Sequence, residues 1–84
     1  MYFVYLIKCA DNTLYCGIAK DLEKRIAEHN GIGRKGAKYT KSRRPVSFVY
    51  QETAENLSEA LKREICIKKL SRKEKEELIA RREA

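Results

Sequence analysis

Residues 2–19 read Tyr2-Phe3-Val4-Tyr5-Leu6-Ile7-Lys8-Cys9-Ala10-Asp11-Asn12-Thr13-Leu14-Tyr15-Cys16-Gly17-Ile18-Ala19. Residues 2–8 alternate loosely and are rich in Tyr, Phe, Val and Ile, which predicts a strand. Ala10 to Thr13 is turn chemistry, because Asp and Asn tolerate left-handed backbone and bond to it with their own side chains. Leu14 to Ala19 then reads as a second strand, closing an antiparallel hairpin. With the turn near Asp11-Asn12, Tyr5 and Tyr15 are expected to face each other across the sheet, an arrangement that packing alone often produces. Gly17 says more, since a glycine weakens a strand and marks either a bulge or a close backbone approach by a ligand.

Beyond the hairpin, Asp21 can cap a helix carrying Leu22, Ile26 and His29 along one side, and Asn30-Gly31 can end it. Arg25 and His29 are four apart and share a face, where they would suit a phosphate. After Pro45, Val46 to Gln51 reads as a third strand. Asn56 with Glu59 resembles a capping box for a helix running to about Leu70. Ser71 with Glu74 repeats the signature, which predicts a break and a terminal helix over 72–82. The expected fold is a small α/β (α+β) domain spanning residues 1–84, a three-stranded antiparallel sheet flanked by helices, with no internal repeat or linker.

Composition narrows the partner. The hydrophobic fraction of 43% is enough for one modest core in 84 residues. A net charge of +7 and a pI near 9.5 predict attraction to a polyanion, either nucleic acid or an anionic membrane. No apolar run approaches the roughly 20 residues of a spanning helix. The apolar start has no basic region before it and no small-residue cleavage site, so it reads as a strand rather than a signal peptide. Six basic and no acidic residues fall within residues 31–44, together with three glycines and Tyr39. Such a loop suits a phosphate backbone, whereas a membrane segment would need apolar residues at helical spacing. Nucleic acid is therefore the expected partner, DNA before RNA. Cys9, Cys16 and Cys66 with His29 lack the paired spacing of a zinc site and read as reduced thiols of a cytoplasmic protein.

Glu64 is the sharpest single clue. At helical spacing, Leu57, Ala60, Leu61, Ile65 and Ile67 form an apolar stripe, and Glu64 falls near its middle with Lys68 beside it. A carboxylate is not buried without a partner. Two explanations stand: an i,i+4 pair with Lys68 over the core edge, or a carboxylate pointing into a cleft to bind a hard cation such as Mg²⁺.

Taken together, these residues resemble the GIY-YIG nuclease domain over nearly the whole chain, and most closely its small stand-alone bacterial (UPF0213-like) members. The two tyrosine motifs stand as Phe3-Val4-Tyr5 and Tyr15-Cys16-Gly17. Arg25 and His29 follow on a helix, and Lys62-Arg63-Glu64 comes later on another. Gly36-Ala37-Lys38-Tyr39-Thr40 and Ile67-Lys68-Lys69-Leu70-Ser71 are similar to the stand-alone members as well. The sequence departs from the name pattern at Phe3-Val4, where Gly-Ile is usual, and at Cys16, where Ile is usual. Both tyrosines and Gly17 remain.

The resemblance implies an endonuclease-type hydrolase acting on DNA or RNA around one Mg²⁺ or Mn²⁺. Glu64 would hold the metal and Arg25 would neutralise the scissile phosphate. Tyr5 would help to activate the nucleophile and Tyr15 would position it or the phosphate, with His29 assisting proton transfer. Arg34, Lys35, Lys38, Tyr39, Lys41, Arg43 and Arg44 would grip the backbone without reading sequence. Two other readings keep the same fold: a non-catalytic nucleic-acid-binding module, and a protein-interaction module using the basic C-terminal helix.

Overall fold

The computed structural model describes residues 1–30 and 44–83. Strand β1 (Tyr2–Cys9) and strand β2 (Leu14–Ala19) form the hairpin, and strand β3 (Val46–Ala54) pairs with the other edge of β1. The sheet is antiparallel in the order β2-β1-β3, so β1 is central. Helices α1 (Leu22–His29), α2 (Leu57–Lys68) and α3 (Arg72–Glu83) complete the described elements. The three-stranded α+β architecture expected from the sequence is the one observed. β3 runs three residues past the expected end at Gln51, and α2 stops at Lys68 rather than near Leu70.

Local chemistry accounts for the boundaries. Asn12 takes a left-handed φ of 70°, and the Asp11 carboxylate accepts from the Thr13 amide and hydroxyl, which closes the hairpin turn. Asp21 Oδ1 accepts the Lys24 N–H at 3.1 Å and caps α1, and Asn56 Oδ1 does the same for Glu59 on α2 at 2.9 Å. Ser71 and Glu74 form the reciprocal capping box at the start of α3. At the far end of α1, the Asn30 side chain bonds both the N–H and the C=O of Val46, pinning the helix terminus to the start of β3. Gly31, the expected helix terminator, lies outside the described residues.

The sheet is covered on both faces. Val4 and Leu6 point toward α2 and α3, packing with Cys16, Ala54, Ala60 and Ile67. Tyr5, Ile7 and Cys9 alternate to the opposite face and pack with Tyr15, Leu22, Ile26 and Phe48 around α1. A register shift between Leu6 and Ile7 pairs Leu6 with Tyr50 and Ile7 with Phe48, leaving Val49 as the extra residue on β3. Without that bulge, Phe48 and Tyr50 would share a face, because side chains repeat every two residues. With it, Phe48 stands edge-on to Tyr5 at 5.4 Å between ring centroids, while Tyr50 goes to the α2 side and donates to Glu52.

The expected apolar stripe of α2 needs correction. Ala60 and Ile67 are fully buried, but Leu57, Leu61 and Ile65 are 47%, 44% and 54% exposed. The helix meets the sheet along the line Ala60–Glu64–Ile67. This narrow contact leaves the flanking Leu and Ile positions beyond the strands.

Candidate active site

The register sets the site. Tyr5 lies opposite Gly17, and Tyr15 lies opposite Ile7, so the two tyrosines are diagonal neighbours on one face rather than the directly facing pair expected from the turn. A Cβ at residue 17 would collide with the Tyr5 hydroxyl and Cζ. The close approach signalled by Gly17 is therefore made by the protein's own phenol, and the glycine is what lets that ring lie flat across β2. The β1–β2 pairing runs through this position in continuous register.

Tyr5 is fully buried and its hydroxyl sits between two α1 side chains. Arg25 Nε donates to Tyr5 Oη at 3.2 Å, and Oη lies 3.0 Å from His29 Nε2. The guanidinium is always a donor, so Oη accepts from Arg25, and it gives its own proton to His29 Nε2 in the tautomer that carries the ring proton on Nδ1. The imidazole meets Tyr5 and Tyr15 edge-on, at 6.0 and 5.5 Å between centroids. Burial, with the neighbouring Arg25 charge, pulls the His29 pKa down to about 4, so the ring is neutral at pH 7. Burial also raises the Tyr5 pKa above the usual phenol value, an effect opposed by the Arg25 hydrogen bond and charge. Arg25 itself is held firmly charged: burial works against its charge, but the Tyr5 contact and the Glu28 carboxylate 3.6 Å from Nη1 outweigh it.

Tyr5 and Arg25 open onto a cleft of about 490 Å³ at the edge of β2 that faces away from β1. Tyr5, Tyr15, Gly17 and Arg25 line it from the α1 side, and Glu64 lines it from α2. Tyr2, Lys20, Leu57 and Leu61 complete much of the wall. His29 does not line the cleft. Its place is behind Tyr5, completely shielded from solvent, so of the two residues expected to share one face only Arg25 reaches the cleft.

Glu64 makes the expected i,i+4 pair and also lines the cleft. Its side chain is 18% exposed, pairs with Lys68 Nζ at 3.4 Å and faces the cleft. Among the described residues no three His, Cys, Asp or Glu side chains converge as a metal cage. One carboxylate beside open space fits a hard cation that keeps several waters and takes further oxygens from a substrate. A cysteine nucleophile is disfavoured here, because burial followed by the Glu64 charge pushes the Cys16 pKa to about 11.

The basic segment cannot be placed with the site, since Arg34, Lys35, Lys38, Tyr39, Lys41 and Arg43 lie outside the described residues. Arg44 is described: it is exposed, and its Nε donates to the His29 carbonyl at 2.8 Å, at the C-terminal end of α1. Several site residues were not singled out in the sequence. The i,i+3 spacing of Glu28 from Arg25 was a usable signal. Phe48 gave none, because its face depends on the bulge, and Leu57 and Leu61 were hidden by being assigned to the core.

Comparison with known proteins adds a family. Residues 1–77 match the GIY-YIG catalytic domain. The chain is 56% identical over 79 residues to a UPF0213 protein of Staphylococcus saprophyticus, covering 94% of each. It is 54% identical over 78 residues to one of Desulfotalea psychrophila, covering 93% of this chain and 70% of that one. The solution NMR structure of a UPF0213 protein from Bacillus halodurans aligns with a TM-score of 0.60 at 37% identity, over 95% of this chain and 84% of that one. No described helix is long and apolar enough to cross a membrane.

Proposed function

This chain belongs to the GIY-YIG catalytic-domain family, and from that premise we propose that it is a metal-dependent nuclease hydrolysing phosphodiester bonds in nucleic acid, DNA before RNA. The observation that carries the proposal is the convergence of Tyr5, Tyr15, Gly17, Arg25 and Glu64 on one cleft. They come from three separate parts of the chain and from helices on opposite faces of the sheet. A packing role alone would not bring a guanidinium and a carboxylate to the two sides of one opening.

Arg25 binds the scissile phosphate and neutralises charge as it builds in the transition state, a task suited to its planar fork. Glu64 would hold Mg²⁺ or Mn²⁺, which would supply positive charge to the reacting phosphate. Tyr5 and Tyr15 orient the attacking water. As that water attacks phosphorus, the bond from phosphorus to the leaving oxygen breaks and the departing oxygen takes a proton from solvent. The water proton passes to Tyr5 Oη and the phenol proton moves to His29 Nε2, along the 3.0 Å contact. Without substrate this relay is resisted, because burial and, after it, the Arg25 charge depress the His29 pKa. A bound phosphate offsets that charge and raises the imidazole's affinity for a proton. The relay is thereby coupled to substrate occupancy, and His29 acts as a positioning residue through Tyr5.

The test is cleavage of labelled single-stranded, duplex and branched DNA and a structured RNA, with Mg²⁺, Mn²⁺ or chelator. Metal-dependent cleavage that disappears in folded Glu64→Ala is the expected result. Binding without cleavage would replace the enzyme by a nucleic-acid-binding module. Absence of both would turn attention to a protein partner.

A further inference from the structure

A second opening of about 330 Å³ adjoins the first, and its lining includes Lys20, Asp21, Lys24, Arg25 and Glu28. The two share Ile18, Ala19, Lys20 and Arg25, so they form one trough along the end of β2 and the start of α1. Arg25 stands where they meet. The acidic groups of the second opening are already engaged: Asp21 accepts the Lys24 N–H as the helix cap, and Glu28 sits 3.6 Å from Arg25 Nη1. Lys20 Nζ lies 5.1 Å from the Tyr2 ring centroid, at the rim of the first cleft, and both lysines are exposed.

We propose that Lys20 and Lys24 form a subsite for a phosphate flanking the scissile one, so that the substrate backbone runs from the cleft at Glu64 across Arg25 and onto α1. This rests on the nuclease reading and adds to it the path of the strand. A nucleic acid is a chain of evenly spaced anions, so a phosphate held at Arg25 brings its neighbour to one of the adjoining openings. Lys20 lies where the two openings join and Lys24 belongs to the one on the α1 side, while the α2 side of the first presents Leu57 and Leu61. Lysine suits this duty, since a flexible point charge holds a phosphate without demanding a sequence.

The experiment compares the full chain with Lys20→Gln/Lys24→Gln and with Lys8→Gln/Lys73→Gln, which removes the same charge outside both openings. Circular dichroism verifies folding. Steady-state cleavage and the salt dependence of binding to one oligonucleotide are then measured. The trough pair is expected to raise KM about tenfold with kcat within about twofold, the pattern of lost uniform binding. It should also lower the slope of log affinity against log salt by about 0.7 to 0.9, as for one phosphate contact. The distant pair should change the slope by less than about 0.5. Equal effects from the two pairs would overturn the subsite and leave only net charge. A fall in kcat at unchanged KM would overturn it too. If wild type binds but does not cut, the nuclease reading fails and the slopes alone decide the subsite. If wild type does neither, both fail together.

Discussion

The central strand sends alternate side chains into two regions of opposite character. Toward α2 and α3, Val4 and Leu6 meet Cys16, Ala54, Ala60 and Ile67, a set with no ionised group. Toward α1, Tyr5 meets Phe48, His29 and Arg25, and the buried set includes an imidazole that is neutral at pH 7. One residue of register separates the two. The apolar side has many interchangeable ways to be filled, whereas the α1 side needs a donor, an acceptor and a phenol in fixed order. The difference teaches that this small sheet divides its packing by face, apolar beneath α2 and polar beneath α1, while the cleft at the edge of β2 draws on both through Glu64 and Arg25.

The largest expected effect comes from damaging the apolar face. Leu6 is fully buried, so Leu6→Ala should lower unfolding free energy by about 3 kcal/mol, read by urea denaturation. Any residual folded fraction should keep its specific activity. A loss of activity beyond the loss of folded protein would break the division between faces.

A smaller effect sharpens the α1 side. The His29 pKa is about 4 in the folded protein against an ordinary value near 6.5, so the unfolded chain binds the extra proton first as pH falls. The His29 contribution is complete above the ordinary value and drains away as pH falls from 6.5 toward 4. Stability should fall by about 2 kcal/mol between pH 7 and pH 5, and His29→Gln should flatten that window. An unchanged slope in the variant would place the titration elsewhere.

The smallest effect lies at the edge of the apolar face. Arg63 grips both Glu52 oxygens, at 2.7 and 2.8 Å, and with Tyr50 it holds the Glu52 pKa below the usual carboxylate range. The Arg63 side chain is nevertheless 45% exposed, so Arg63→Ala should change stability by less than about 1 kcal/mol.

Much of this was legible in the sequence, for physical reasons that can be named. The hairpin, the three caps at Asp21, Asn56 and Ser71, and the grouping of Tyr5, Tyr15, Gly17, Arg25 and Glu64 follow from local rules and motif order. What escaped depends on long-range register. The diagonal placement of Tyr15 follows from the observed pairing, not from the turn residues. Phe48 reaches Tyr5 only through a bulge at Val49, which the sequence does not mark. Asn30 was readable as a helix end but not as the clamp on Val46, because its partner is sixteen residues away. Leu57 and Leu61 misled because periodicity reports which residues share a helix face, not how far the sheet extends beneath it.

The most direct test of the account is Tyr5→Phe, which keeps the ring over Gly17 and removes the hydroxyl shared by Arg25 and His29. Its cleavage rate on the substrate that wild type cuts best would be measured at a temperature where melting curves show both proteins folded. The account predicts a loss of at least about 100-fold in kcat, the scale of a missing proton-transfer group. A folded Tyr5→Phe that cleaves at the wild-type rate would contradict it, and would return the α1 face to packing alone.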